Sequence, residues 1–283
     1  MCSDIERADP ARQYGKWGRM EIVGQGFLAR NLRPIASAHS GVVVAAAGVS
    51  AAGGTSEEAF AREAGLLYEL IHRCKEKGHR LVFFSTASTG MYSTPGEPGR
   101  EDGPVFPATP YGRHKLALEA VLAASAVDYL ILRLGHVVGA AQPPHQLLPA
   151  MVRQVMSGRV RLFRGARRDL IDIDDVVTIV DRLLATGVNR TVVNVLSGAA
   201  PQIDEIIDDI EAILGRSTQR TYTATGGNQQ VSTVRLRRLV GDVAGMGFDK
   251  DYYRRVLAKY VPSYATPRSL TRGEPEAAAC DRQ

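Results

Sequence analysis

Residues 20–29 read MEIVGQGFLA, in which a short apolar segment runs into two closely spaced glycines and then into a helix-forming run. Gly24 permits a tight turn after a strand, Gly26 lets the backbone approach a pyrophosphate, and Ala29 is small enough for a helix to pack against the strand. A strand, a glycine turn and a helix in this order favour a dinucleotide-binding turn. An ordinary strand–helix turn without a ligand is the alternative, and this segment alone does not separate the two.

Downstream of this turn, apolar strands alternate with amphipathic helices. Continuous apolar runs such as residues 42–47 are typical of parallel strands buried on both faces, and the helix predicted over 57–77 carries its apolar residues on one face. The alternation predicts an α/β fold with a Rossmann-like doubly wound parallel sheet. Further strands are predicted at 80–85, 127–133, 160–163 and 191–196, and further helices at 111–124, 147–157, 174–186, 203–214, 232–243 and 252–260.

The same patterns predict one domain over residues 18–260, made of a sheet part and a small C-terminal substrate-binding lobe. The polar ends, residues 1–17 and 261–283, are predicted to be a disordered arm and a disordered tail. The sheet part takes up about 18–140 and 174–196, and the lobe takes up about 141–173 and 197–260.

The segment between the first two predicted strands is short. Only 18 residues separate Val23 from Val42, and one crossover with its helix already takes about 10–12 residues. Two further strands with their helices cannot fit here. We therefore expect the sheet to be shortened in the half that would bind an adenosine, with the first strand near a sheet edge.

Tyr111 and Lys115 stand four residues apart at the start of a predicted helix. This spacing puts both side chains on one face. A tyrosine alone titrates near ~10, and a nearby cation favours the phenolate and lowers that pKa towards the range of a useful acid or base. The pair is therefore a candidate proton-transfer unit, the alternative being a surface helix that carries both residues by chance.

Composition excludes several classes of protein. The chain has 283 residues, of which 45% are apolar and 23% charged, and its net charge is +5. The basic residues are scattered, and no long basic run with interleaved aromatic residues predicts nucleic-acid binding. No apolar run reaches the ~18 residues of a membrane span. The three cysteines, Cys2, Cys74 and Cys280, lack paired spacing, which indicates a reducing compartment and a cytoplasmic location.

Several of these features follow one another in a fixed order: the glycine turn, strands ending in Ala46-Ala47-Gly48 and Ser85-Thr86, Tyr111-x-x-x-Lys115, Leu132-Arg133-Leu134, and RDLIDIDDVV at 168–177. In this order they resemble the extended short-chain dehydrogenase/reductases, the NAD-dependent epimerase/dehydratase group that acts on nucleotide sugars. The arrangement is most similar to dTDP-4-dehydrorhamnose reductase-like and short sugar-nucleotide epimerase-like members. The match runs from Met20 to about Tyr260.

The resemblance implies catalytic roles. Tyr111 would be the acid or base on a sugar hydroxyl or carbonyl, and Lys115 would lower the Tyr111 pKa and bind a nicotinamide ribose. A hydroxyl after the strand at 80–85 would hydrogen-bond the reacting oxygen. Strand register favours Thr86 for this position, whereas counting back from Tyr92 favours Ser88.

The resemblance also implies NAD or NADP as the cofactor. No acidic residue occurs between Glu21 and Glu57, so the carboxylate that usually binds the adenosine ribose is missing, and Arg30 and Arg33 are present instead. We therefore expect weak cofactor binding with a slight preference for NADP. The predicted cofactor contacts are Gly24, Gly26, Phe27, Leu28, Ala46, Ala47, Gly48, Lys115 and Leu134.

The implied substrate is a nucleotide-linked sugar. Arg168 matches the arginine that grips the diphosphate, the alternative being an ion pair with Asp172 or Asp174. His136 stands where relatives often carry an asparagine at the substrate, the alternative being a packed histidine. No metal site is predicted, and a homodimer is compatible with the resemblance.

The implied activity is that of a 4-ketoreductase or an epimerase. Ala87 and Ser88 stand where 4,6-dehydratases carry an acidic pair, which argues against dehydration. The alternative is a non-redox binding or regulatory protein on the same fold, an idea that the shortened nucleotide half motivates.

Overall fold

The computed structural model describes residues 18–50, 56–87, 91–92, 98–225, 230–241 and 244–265. None of the helices among these residues is long and apolar enough to cross a membrane. The strands are β1 Glu21–Val23, β2 Val42–Ala45, β3 Arg80–Thr86, β4 Tyr129–Leu134, β5 His136–Val138, β6 Arg159–Arg164, β7 Leu170–Asp172, β8 Thr191–Val195 and β9 Gln219–Thr225. The α-helices are α1 Phe27–Leu32, α2 Glu57–Lys77, α3 Pro110–Ala124, α4 Leu147–Met156, α5 Ile173–Ala185, α6 Ile203–Leu214, α7 Val234–Val240 and α8 Tyr252–Ala265.

A five-stranded parallel sheet forms the centre of the fold, in the order β1-β2-β3-β4-β8. β3 and β4 pair from Leu81 opposite Tyr129 to Thr86 opposite Leu134, and every residue of these two strands is buried. Strands buried on both faces need apolar residues at successive positions. The α/β fold with a parallel sheet, predicted from those apolar runs, is confirmed.

The segment between β1 and β2 contains only the six-residue α1 and a 3₁₀ helix over Arg33–Ala38. Pro34 lies in the first turn of the 3₁₀ helix, where a missing N–H removes no helical hydrogen bond. No further strand is inserted, and β1 is the edge strand of the sheet with β2 as its neighbour. The predicted edge position of the first strand is confirmed.

Helices cover both faces of the sheet. α1 and α5 pack on one face through side chains such as Leu32 and Val176, and α2 and α3 pack on the other through Leu70 and Leu122; none of these four side chains is exposed. Burial of each such side chain stabilises the fold by about 1.5–3 kcal/mol. The two helical layers fix α3 against the sheet.

Helix α2 has the bounds predicted from its sequence. The hydroxyl of Ser56 accepts a hydrogen bond from the N–H of Ala59 (3.3 Å) at its start. Gly78 ends the helix in the left-handed conformation, with a φ of 64°. A serine cap and a left-handed glycine are favoured at these two positions, which is why the sequence places both ends correctly.

A separate apolar core lies among α4, β6, α6 and α8, with Leu148, Val160, Ile207 and Leu257 among its buried side chains. Two small parallel sheets, β5–β7 and β6–β9, accompany it. β5, β7 and β9 are not predicted from the sequence, because β5 and β7 have three residues each and β9 is largely polar.

Helix α8 corrects the predicted start of the disordered tail. The sequence predicts disorder from Val261, but α8 continues to Ala265 with Pro262 inside it. Val261 has no exposed surface and packs in the core of the lobe, so burial outweighs the helix-breaking effect of the proline. α7 is also shorter than the predicted 232–243. Residues 1–17 and 266–283 lie outside the described ranges.

Candidate active site

The carboxyl ends of β2, β3, β4 and β8 meet at one edge of the sheet, the edge at which ligands bind in open parallel sheets. Gly48 follows β2, Thr86 ends β3 and His136 follows β4. The N–H of His136 donates to the carbonyl of Asp169 (3.0 Å), which ties Arg168 and Asp169 to the same edge. The fold thus brings predicted residues from distant parts of the chain to one place.

Helix α3 begins with the candidate proton-transfer pair. The hydroxyl of Thr109 accepts a hydrogen bond from the N–H of Gly112 (3.0 Å), and Pro110 occupies the first turn. Both are favoured at a helix start. Tyr111 and Lys115 follow one turn apart, and the Nζ of Lys115 lies 5.7 Å from the ring centre of Tyr111. The predicted adjacency of the phenol and the ammonium is present.

Lys115 is only 3% exposed, and its ammonium has partners on two other elements. Nζ donates to Oε1 of Glu63 on α2 (2.5 Å) and to the carbonyl of Phe84 in β3 (3.2 Å). Burial lowers the pKa of Lys115, and the Glu63 carboxylate opposes that shift. Glu63 cannot be found from the sequence, because an acidic residue inside an amphipathic helix gives no signal of a partner 52 positions away.

The pKa of Tyr111 is raised, first by burial and then by the negative charge of Glu63. The net shift of the Tyr111 pKa is therefore opposite to the lowering that the sequence predicts from Lys115. The ammonium is balanced by a carboxylate at 2.5 Å, whereas the centre of the phenol ring is more than twice as far away. The Glu63 carboxylate therefore compensates the charge of Lys115, and little of that charge acts on the phenol of Tyr111.

The structure describes one of the two predicted hydroxyls after β3. Thr86 is 3% exposed and stands opposite Leu134 at the end of β4. The N–H of Ala87 donates to the carbonyl of Leu134 (2.8 Å), so the strand register continues to this point. Ser88 lies outside the described residues, and the choice between Thr86 and Ser88 stays a prediction.

The glycine turn after β1 is tightly packed at one glycine and open at the other. Gly24 has a φ of +140°, and a Cβ there would come within 2.6 Å of the backbone of Ala46. Gly26 caps α1, and a Cβ there would meet no described atom within 4 Å. The first turn of α1 carries no acidic side chain. Open space beside helical N–H groups fits the pyrophosphate of a dinucleotide.

The other predicted cofactor contacts differ in their exposure. Phe27 and Leu134 are 6% and 7% exposed and belong to the core on one face of the sheet, so their side chains pack against the protein. The more accessible positions around the turn and after β2 are Leu28, Ala46, Ala47 and Gly48.

Arg168 is a half-buried cation that makes no ion pair with any carboxylate in the described part of the chain. Its Nη1 donates to the carbonyl of Arg167 (2.7 Å), and burial lowers the pKa of Arg168. The alternative of an ion pair with Asp172 or Asp174 is wrong, because both carboxylates bind Lys259 instead, at 2.8 and 2.7 Å. Apart from that hydrogen bond, none of the described residues occupies the remaining donors of the guanidinium, which could therefore bind a ligand.

His136 and Asp169 also lie at this edge, and the pKa of each side chain is shifted. Burial, and after it the charge of Arg168, lowers the pKa of His136 to about 3, so its imidazole is neutral near pH ~7. Burial raises the pKa of Asp169 to about 6. Asp169 accepts hydrogen bonds from the N–H and hydroxyl of Ser197 (3.0 and 2.8 Å) and from the N–H of Gly198 (2.8 Å). It thereby holds the loop after β8 at the edge.

A buried network of polar side chains joins α3 to the sheet. Glu119 and Arg133 are 4% and 3% exposed and pair through Oε2 and Nη2 (2.6 Å). Arg133 also donates to the hydroxyl of Tyr92 (2.7 Å), which in turn donates to Oδ1 of Asn194 (2.5 Å). This network is not predicted from the sequence. The signal was available in part, because Glu119 continues the four-residue spacing of Tyr111 and Lys115.

Comparison with known proteins gives one matching family. The sequence profile of the NAD dependent epimerase/dehydratase family matches residues 27–195. A curated relative, dTDP-6-deoxy-L-talose 4-dehydrogenase (NAD(P)(+)) from Kitasatospora kifunensis, is 33% identical over 144 residues. These residues cover 46% of this chain and 44% of the relative, so the match spans less than half of the relative's length.

Solved structures share the fold at low sequence identity. RMD from Pseudomonas aeruginosa complexed with NADPH superposes with a TM-score of 0.68 at 20% identity, over 86% of this chain and 98% of that one. The dTDP-glucose 4,6-dehydratase from Bacillus anthracis, in complex with NAD, gives 0.65 at 20% identity, over 79% and 72%. WbmG from Bordetella bronchiseptica, in complex with NAD and UDP, gives 0.63 at 23% identity, over 86% and 81%. These likenesses confirm the Rossmann-like architecture.

Proposed function

The chain belongs to the NAD-dependent epimerase/dehydratase family, and on that premise we propose that it is an NAD(P)-dependent enzyme that modifies a nucleotide-linked sugar, as a 4-ketoreductase or an epimerase. One juxtaposition carries the proposal. Tyr111 and Lys115 are paired on a helix at the ligand-binding edge of the sheet, and the same edge holds Arg168, a guanidinium without a carboxylate partner among the described residues.

Tyr111 is assigned the proton transfer. Its Oη holds a proton that can pass to a sugar oxygen, and general acid–base catalysis of this kind contributes about 10²–10⁴-fold in rate. The hydroxyl of Thr86, or of Ser88, would hydrogen-bond the same oxygen. The name of the Kitasatospora relative, a 4-dehydrogenase of a dTDP-linked sugar, supports conversion between a hydroxyl and a ketone at such a position.

Arg168 is assigned the diphosphate of the nucleotide. A planar guanidinium binds phosphate oxygens with two parallel hydrogen bonds, and a half-buried cation with no carboxylate partner in the described ranges favours an anionic ligand. The charge of Arg168 contributes to the lowered pKa of His136, which is neutral. Its two ring nitrogens give it one donor and one acceptor for the sugar or the phosphate.

The residues present fit a nicotinamide dinucleotide at two places. Gly26 and the first turn of α1 would hold the pyrophosphate, and Lys115 would hold the nicotinamide ribose. When bound, the group supplies hydride chemistry. At the adenosine end the fit is poorer, because no acidic residue lies between the glycine turn and Glu57 and exposed Arg30 folds back onto the carbonyl of Gln25 (3.1 Å). We therefore propose weak binding, with NADP slightly favoured over NAD.

One experiment tests the assignment as a whole. The purified protein is examined by native mass spectrometry and by titration calorimetry with NAD(H), NADP(H), dTDP and UDP, and then assayed with a dTDP-linked 4-keto sugar and a reduced cofactor. We expect binding of both ligand classes and turnover that Tyr111→Phe abolishes. Absence of cofactor binding, even with a nucleotide present, would reject the enzyme assignment.

A non-redox binding protein is the second candidate, and one observation favours it. The ammonium of Lys115, which the resemblance reserves for a ribose, already binds Glu63 in the structure. Under this candidate, dTDP or UDP binds through Arg168 while neither NAD(H) nor NADP(H) does. The calorimetric titrations above separate the two candidates directly.

A further inference from the structure

Glu63 contacts two consecutive residues of α3 from its place on α2. Its Oε1 lies 2.5 Å from the Nζ of Lys115, and its Oε2 lies 2.9 Å from the Nε2 of His114. His114 in turn stacks on Phe60, with ring centres 4.3 Å apart. A carboxylate bound at both oxygens has little freedom to move. The ammonium that it binds is therefore fixed as well.

The backbone after β2 is shaped around this contact. A Cβ at Gly48 would lie 2.2 Å from Oε1 of Glu63 and 3.1 Å from the Nζ of Lys115. Any larger residue would have to displace the carboxylate. Gly48 lies at the carboxyl edge of the sheet, so the ion pair between Glu63 and Lys115 borders the candidate active site.

Glu63 acts as the counter-ion of Lys115, because the other carboxylate near the ammonium is engaged elsewhere. On α3 itself, Glu119 influences the ammonium from one turn further along but is engaged by Arg133. From β3, the Phe84 carbonyl faces Nζ (3.2 Å). From α2, Glu63 is the carboxylate in direct contact, and both partners have side chains only 4% exposed. An ion pair so sheltered from water is screened little.

We propose that Glu63 is a positioning residue for the Tyr111–Lys115 pair: by binding the ammonium, it keeps the phenol of Tyr111 protonated and makes Tyr111 a proton donor. In the transfer, the O–H bond of Tyr111 breaks, the proton passes to a substrate oxygen, and the phenolate retains the electron pair. The identity of that oxygen as part of a sugar rests on the proposed function. The protonation state of the phenol does not.

The raised pKa of Tyr111 agrees with this geometry, because burial and the charge of Glu63 both favour the neutral phenol. Neutralising Glu63 should shift the pKa values of both members of the pair in the same direction. Tyr111 would lose a repulsive charge and gain an uncompensated cation, and the pKa values of Tyr111 and Lys115 would both fall.

The test uses Glu63→Gln, with Glu57→Gln on the exposed first turn of the same helix as the matched control. Protein labelled with ¹³C in its tyrosine and lysine side chains is titrated by NMR, and the Tyr111 signal is assigned by its loss in Tyr111→Phe. We expect Glu63→Gln to lower the Tyr111 pKa by about 1–2 units and Glu57→Gln to leave it unchanged. An unchanged Tyr111 titration in Glu63→Gln would overturn the proposal.

This readout needs no turnover, so it separates the proposal from the proposed function. Where the parent enzyme is active, the high-pH limb of the kcat/KM profile should shift with the NMR value. An inactive parent would count against the proposed function alone. Should Glu63→Gln fail to fold, the double variant Glu63→Gln/Lys115→Met removes the unpaired ammonium as well. Folding restored in the double variant supports the ion pair, and failure of both overturns it.

Discussion

Replacing Arg168 by methionine should weaken nucleotide binding without destabilising the free protein. Burial lowers the pKa of Arg168, which means that the fold disfavours its charge, and no described carboxylate compensates it. The variant loses one hydrogen bond, to the carbonyl of Arg167 (2.7 Å), and keeps an apolar chain of similar length. The melting temperature of the free variant should therefore equal or exceed that of the parent.

Nucleotide binding by Arg168→Met, unlike its stability, should become weaker. A hydrogen bond to a charged group contributes about 1.5–3 kcal/mol, and every ~1.4 kcal/mol corresponds to a tenfold change in Kd. Loss of the contact to a diphosphate should raise the Kd of dTDP or UDP by about 10–100-fold. Titration calorimetry measures the Kd, and scanning fluorimetry measures the melting temperature with and without nucleotide.

Arg167→Met is the matched control. Arg167 is the neighbouring arginine, is also half-buried, and donates to the carbonyl of Ala200 (2.8 Å). We expect this variant to bind nucleotide with the affinity of the parent. If Arg168→Met melts at a clearly lower temperature while its nucleotide Kd stays unchanged, Arg168 is a structural residue and does not bind the diphosphate.

Four further predictions test other parts of the site. Tyr111→Phe should keep the circular dichroism spectrum and lower kcat by about 10²–10⁴-fold, and a change of only a few-fold would remove Tyr111 from the chemistry. Gly24→Ala should destabilise the protein, because the φ of Gly24 is +140° and a Cβ there would press on the backbone after β2. Gly26→Ala should unfold like the parent in urea but bind NADPH more weakly, and parent-like NADPH binding by this variant would contradict the pyrophosphate site. Glu119→Gln leaves a buried arginine without its counter-charge and should cost about 3–5 kcal/mol in urea unfolding, and a cost near zero would contradict the buried pair. The pKa of Asp169 is raised from 3.8 to about 6, so the fold binds this proton more tightly than the unfolded chain does, and the resulting stabilisation is present below about pH 4 and lost as the pH rises towards 6. The unfolding free energy of the parent minus that of Asp169→Asn should therefore fall by on the order of 3 kcal/mol over that range. A difference that does not change with pH would contradict the shift.

Local patterns in the sequence predict most of the central sheet and its helices. The bounds of α2 follow from Ser56 and Gly78, because capping depends on residues adjacent in sequence. β9 escapes prediction because its QRTYTAT sequence has little apolar character and its pairing with β6 is decided by distant residues. The last turn of α8 escapes for the same reason, since the burial of Val261 in the lobe outweighs the proline that follows it.

The candidate site divides in the same way. Tyr111 and Lys115 are found from the sequence because they are one turn apart on one helix, and Gly24 and Gly26 because a turn needs them at fixed spacing. Glu63 is not found, because its contact with Lys115 joins two helices that only the fold brings together. Together with the burial of the phenol, which is the larger cause, that contact raises the pKa of Tyr111 where the sequence predicts a lowered one.

Helix α3 carries three polar side chains at one spacing, and their different environments come from what each meets in the fold. Tyr111, Lys115 and Glu119 follow one another every four residues, so all three lie along one face of the helix. Glu119 meets Arg133 and becomes part of a buried ion pair that anchors the helix. Lys115 meets Glu63 from the neighbouring helix, and this contact sets its charge balance. Tyr111, at the amino-terminal end, is half-buried and meets no carboxylate among the described residues, which suits the proton-donating role proposed for it. A periodic signal in a sequence can therefore locate a functional face, whereas the roles along that face depend on charges contributed by other elements.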